Sequence, residues 1–174
     1  MKRVLSICAI AAIAAFPAFG AGSAPVERSD KPAAKQEKPA AKQESPAVSA
    51  YNQGVELMKN KRFAQAQSKF EQAVKLDPNF AEAYNNLAFT LRKQGSANYQ
   101  KSLEYYNKAI QLKPKLAEAY MYRGVLYTQM GRKTDAQADL VLLKKLDGRL
   151  AKELEEFMQT GKEEDYLYGA TKKK

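Results

Sequence analysis

Glu82 and Glu118 are the two residues best placed to do chemistry, because each stands in the same tetrapeptide, AEAY, 36 positions apart. Paired carboxylates can divide acid and base work between them. Each of these, however, opens a stretch of helical period, and negative charge in a first turn is favoured by the helix dipole without any catalysis. No nucleophile–base pair, glycine-rich phosphate loop or metal-ligand spacing accompanies them. The chain has no histidine and a single cysteine, Cys8. An enzyme is not expected, and no cofactor or metal is either.

The stretch holding these carboxylates, Ala81 to Pro114, sets the pattern for the chain. Tyr84, Leu87, Ala88 and Leu91 fall at the three-and-four spacing that lines one side of a helix. Gly95 interrupts the stripe, and a second follows in Leu103, Tyr106, Ala109, Ile110 and Leu112 before Pro114 ends it. The unit reads as helix, turn, helix, and its neighbours are imperfect copies. Pro78, Pro114 and Gly148 occupy the same place in three copies, 36 and then 34 residues apart. Ala50, Gly54 and Leu57 of the first copy answer to Tyr84, Ala88 and Leu91. Ala66, Phe70 and Ala73 answer to Ser102, Tyr106 and Ala109. The third copy supplies Tyr120, Gly124, Tyr127, Ala136, Leu140 and Leu143.

These residues, joined by LDPNFAEAY and LKPKLAEAY, resemble the tetratricopeptide repeat family over three consecutive units (47–80, 81–116 and 117–148). The resemblance implies an all-α helix-turn-helix solenoid, stacked as a right-handed superhelix. One helix pair has too little core to stand alone, so stacking is what buries the stripes. Small residues at Gly54, Ala88 and Gly124 are expected to let each first helix sit close to its own second helix. Gln53 and Arg123 replace the family's usual leucine, which predicts a thinner core in the first and third repeats. The second turn, QGSANYQK, carries two extra residues and is expected to bulge. Residues 149–161 have an apolar face of Leu150, Leu154, Phe157 and Met158, which suits a capping helix. Residues 162–174 read as a flexible basic tail.

In arrays of this family the first helices line a concave groove. Carried onto this chain, the groove positions are Tyr51, Asn52, Val55, Met58 and Lys59, then Asn85, Asn86, Phe89, Arg92 and Lys93, then Met121, Tyr122, Val125, Thr128 and Gln129. Aromatic and methionine surface together with paired amides suits an extended protein segment as ligand. Val55, Phe89 and Val125 have a second reading, as packing between adjacent first helices. Asn, Arg and Gln gain nothing from burial and are expected to stay open. The family's clamp for acidic chaperone tails is matched only at Asn86. Tyr51 and Val55 hold its first two positions, and Glu118 and Tyr122 its last two.

Residues 1–20 pair Lys2 and Arg3 with an uncharged apolar run and then small residues, the layout of a signal peptide cut after Gly20. Ala21 and Ala24 are alternative sites, and an uncut anchor is the alternative reading. An exported, periplasmic or secreted protein follows, without stable membrane insertion. Cutting removes Cys8, which rules out disulfides, thiolate metal sites and cysteine nucleophiles in the mature chain. Residues 21–46 are rich in Ala, Lys and Pro, lack aromatics and repeat KPAAKQE, so they form a disordered tether. The net charge of +10 falls to about +8 once Lys2 and Arg3 leave. Without a recognition motif, nucleic acid is not expected. An acidic protein partner or an anionic envelope polymer is the better partner for Lys59, Arg92 and Lys93. The reading is an exported adaptor that binds partner segments and assists envelope complex assembly; the alternative is a self-associating scaffold, a homo-oligomer without peptide ligand.

Overall fold

A serine and a proline start the folded region. The Ser45 hydroxyl accepts a bond from the Val48 N–H at 3.3 Å, and Pro46 takes the first helical position, where its missing N–H costs nothing. Pro46, expected as the end of the tether, therefore belongs to the first helix. The computed structural model describes residues 44–162. The signal peptide, nearly all of the tether and the tail beyond Lys162 lie outside the described residues.

Seven α-helices follow: α1 (Pro46–Lys59), α2 (Phe63–Leu76), α3 (Ala81–Lys93), α4 (Tyr99–Leu112), α5 (Ala117–Gln129), α6 (Lys133–Leu146) and α7 (Gly148–Thr160). There is no strand among the described residues. The extra residues of the second turn wind into a 3-10 turn, Ser96–Asn98, directly after Gly95. Gly95 has φ 119° and ψ 173°, a conformation that side chains oppose, which explains the glycine there. Asp147 closes α6 and caps α7 at once, its carboxylate accepting from the N–H groups of Arg149 and Leu150 at 2.9 and 3.0 Å. One linking residue forces a sharp reversal.

The core follows the repeat. Phe70, Tyr106 and Leu140 hold the same position in α2, α4 and α6, and all three are buried. Ala66, Ser102 and Ala136 sit beside them, and the Ser102 hydroxyl donates to the Ala88 carbonyl at 2.7 Å. A single apolar cluster runs from Met58 through these residues to Leu154 and Phe157 of α7. The cap therefore continues the core.

The small residues serve two different contacts. A Cβ on Gly54 would lie 2.7 Å from the Phe70 ring of its own second helix, as the repeat pattern predicts. A Cβ on Gly124 would instead meet Leu154 of α7 at 2.5 Å. The clearance at Gly124 is for the cap, because α7 occupies the side of α5 where a further repeat would begin. The missing leucines also have separate fates. Gln53 is exposed, whereas Arg123 turns inward to the buried Asp139.

Candidate functional site

The expected groove residues divide sharply by burial. Asn52, Lys59 and Gln129 are exposed, and Tyr51, Val55, Lys93 and Thr128 are half-buried. Met58, Phe89, Met121, Tyr122 and Val125 are buried. Met58, placed on the open face by sequence, is a core residue, because the turn of α1 that carries it faces Phe70 and its neighbours in the apolar cluster. Val125 and Phe89 take the second reading and pack in that cluster.

The polar members are where the expectation fails most clearly. Asn85 and Asn86 are 0 % exposed and Arg92 is 3 % exposed. Hydrogen bonding offsets the cost of their burial. The Asn85 amide donates to Asn86 Oδ1 at 3.2 Å, and the Asn86 amide donates to the Tyr51 hydroxyl at 3.2 Å, joining α3 to α1. Burial pushes the Tyr51 phenol above its ordinary pKa of 10.0; the Asn86 bond opposes this, and Glu82 and Glu118 add to it. Tyr51 stays neutral at physiological pH.

On the α5 side, the joint is aromatic and cationic. Phe89 meets Tyr122 edge-on at 5.1 Å between centroids, and Phe63 of α2 at 6.2 Å. The Arg92 guanidinium lies 5.2 Å from the Phe89 ring and 5.9 Å from the Tyr122 ring, and donates to Gln129 Oε1 at 3.3 Å. Lys93 Nζ lies 5.8 Å from Phe89. Cation–π contacts that are shielded from water reach about 2 kcal/mol. α1, α3 and α5 thus share one face, stitched by Tyr51–Asn86 on one side and Arg92–Phe89–Tyr122–Gln129 on the other.

The Glu82 carboxylate is committed to structure. Glu82 Oε1 takes a bond from Lys113 Nζ at 2.5 Å, across the two ends of one repeat. Partial burial works against the Glu82 carboxylate, but Lys113 outweighs it, and its pKa lies below the ordinary 4.5. No cluster of three metal-ligating side chains occurs among the described residues. Asp139 is held in the two-pronged grip of Arg123.

Two contributors to this face were not legible as such. Phe63, the first residue of α2, packs on Phe89, and Phe80, in the turn before α3, lies tilted against Tyr51 with ring centroids 4.8 Å apart. Both lie outside the first helices, so their distance in the repeat hid them. The aromatic at the opening of a second helix was the available signal.

A family profile described as tetratricopeptide repeat matches residues 51–116. Those residues span α2, α3 and α4 and most of α1, the helix pairs described above. Residues 51–116 are built of tetratricopeptide repeats, and the helices beyond them continue the same fold. Tetratricopeptide repeat protein 36 of Xenopus tropicalis is 32 % identical over 104 residues, 58 % of this chain and 50 % of that protein. The chain spans between 5 % and 56 % of the lengths of the curated relatives it matches. The TPR2B domain of yeast Sti1, solved as a complex with pHsp70, superposes with a TM-score of 0.61 at 20 % identity, covering 67 % of this chain and 98 % of that one. The first TPR of Spaghetti (RPAP3), bound to the HSP90 peptide SRMEEVD, gives 0.59 at 18 %, covering 65 % and 90 %. At such identities the superpositions establish the fold of the array. No described helix is long and apolar enough to cross a membrane.

Proposed function

We propose that the tetratricopeptide array is a protein-interaction adaptor that holds an extended segment of a partner along the face of α1, α3 and α5. The observation that carries this is the stitched face itself. Asn86 holds the half-buried Tyr51, and Arg92 lies against the buried Phe89 and Tyr122 beneath the face, so the face is preorganised and binding has little ordering cost to meet. Solved arrays of the same fold hold HSP90 and Hsp70 peptides in complex, which makes peptide capture a natural use of the architecture. Lys59 and Lys93 at the edge of the face favour acidic segments. The signal-peptide layout of residues 1–20 supports a site of action outside the cytoplasm, where an adaptor would assist assembly of envelope complexes.

The test is cross-linking in cells followed by mass spectrometry, with the chain carrying Lys59→Glu and Lys93→Glu compared with the unaltered one. These side chains are exposed or half-buried, so charge reversal should leave melting unchanged while acidic partners are lost. Equal capture by both chains would refute the assignment. One observation supports a second reading. Val141, Leu142 and Leu146 of α6 are exposed together, and so is Leu76 of α2, which suits association between copies. Light scattering of the purified protein across a concentration series separates the two.

A further inference from the structure

The last turns of the first helices and of the cap gather at one end of the array. Arg123 of α5 reaches Asp139 of α6, and Lys144 of α6 reaches Glu155 of α7, so each helix reverses on the one before. α7 therefore runs parallel to α5. Its end, Gly161 with φ 66°, lies at the same end as Gln129, the last residue of α5. The Arg92–Gln129 bond brings the last turn of α3, Arg92 and Lys93, to that end too.

A helix C-terminus favours cations without any ligand. That contact does not require Arg92 to be 3 % exposed between two aromatic rings, as it is here. The chain continues from Gly161 as KEEDYLYG: three carboxylates, Glu163, Glu164 and Asp165, then Tyr166, Leu167 and Tyr168. Its carboxylates complement the positive charge of that end of the face, where Lys93 is half-buried and Arg92 lies just beneath it between Phe89 and Tyr122. Six residues in extended form cover about 20 Å. Stepping from α7 over α5 to α3 takes two helix spacings of about 9 Å each.

We propose that Glu163–Tyr168 of this chain docks in cis on the last-turn end of the α3–α5 face and competes there with partner segments. This rests on the adaptor reading above and names a built-in competitor for the same site. A tethered segment acts at an effective concentration of about millimolar. Only partner segments that outbid it would then be held.

The test uses a synthetic fluorescein-labelled KEEDYLYG peptide, read by fluorescence anisotropy against the intact chain, a chain ending at Lys162, and a full-length chain with Glu163→Lys, Glu164→Lys and Asp165→Lys. The two altered chains should bind the peptide at least about tenfold more tightly than the intact chain, independently of protein concentration. Adding Lys93→Glu to the truncated chain should abolish the gain. Equal binding by all three chains, or no binding by the truncated and charge-reversed chains, would overturn the inference. Protection of the intact chain that grows with its concentration would overturn it as well, since docking would then be between copies. If the truncated chain ignores the peptide yet still captures partner segments in cells, the competitor is refuted and the adaptor reading stands.

Discussion

Arg123 of α5 and Asp139 of α6 meet in a two-pronged ion pair, Nε to Oδ2 at 2.9 Å and Nη2 to Oδ1 at 2.6 Å, where the repeat ordinarily has an apolar contact. A third donor, Arg123 Nη1, reaches Asn107 Oδ1 of α4 at 2.7 Å, and the guanidinium also lies near the Tyr120 and Tyr127 rings. Burial raises the Asp139 pKa, and Arg123 opposes that rise. Removing one partner leaves the other as an uncompensated buried charge. Arg123→Leu or Asp139→Ala should each destabilise the protein by about 3 kcal/mol, whereas Arg123→Leu with Asp139→Leu should be near neutral. Urea unfolding midpoints of the three variants check this. Equal losses in the single and double variants would show that the charges do not act as a pair.

Gly54 and Gly124 hold equivalent places but face different neighbours, so alanine should not cost the same at both. At Gly54 the new methyl strikes the buried Phe70 ring, which has no flexible end to yield. At Gly124 it meets the terminal methyls of Leu154. Overpacking costs about 1–3 kcal/mol, and alanine recovers up to about 1 kcal/mol through helix propensity. Gly54→Ala should lower the melting temperature clearly, and Gly124→Ala by less. Melting curves that rank the two in the opposite order would contradict the packing described.

The Glu82–Lys113 pair gives a pH signature. Because the folded-state pKa of Glu82 is depressed below 4.5, its contribution is complete above that value and is lost as pH falls through the folded-state pKa. Both side chains are partly exposed, so water screens the pair and its worth is about 0.5 kcal/mol. Glu82→Gln should therefore unfold more readily at pH 7, with the two stability curves converging as the solution is acidified below pH 4.5. A constant gap down to the lowest pH would exclude Glu82 as its source.

Phe89 carries stability beneath the proposed binding face. It is buried among Phe63, Tyr122 and Arg92. Phe89→Ala should cost about 3–4 kcal/mol. Lys93→Ala, at the edge of the same cluster, should change thermal melting little. A Phe89→Ala protein that melts like the parent would contradict the packing described.

The repeat, its three copies and the cap were legible because they depend on local rules: helical period, small residues at fixed intervals, and glycine and proline at the turns. Those rules operate within about one helix pair, a range that sequence spacing reports faithfully. The role of the polar residues was not legible in this way. Asn85, Asn86 and Arg92 look like groove residues one by one, and Arg123 looks like a gap in the core. The partners of Asn86, Arg92 and Arg123 are Tyr51, Gln129 and Asp139, which lie 35, 37 and 16 residues away on other helices. Only the stacked array brings those groups together, and a buried polar group is tolerable only where such a partner lies within hydrogen-bond reach. The sequence by itself determined that this chain builds repeated helix pairs. Tertiary structure decided which of their side chains are open to a ligand, because burial depends on what the neighbouring repeat places opposite.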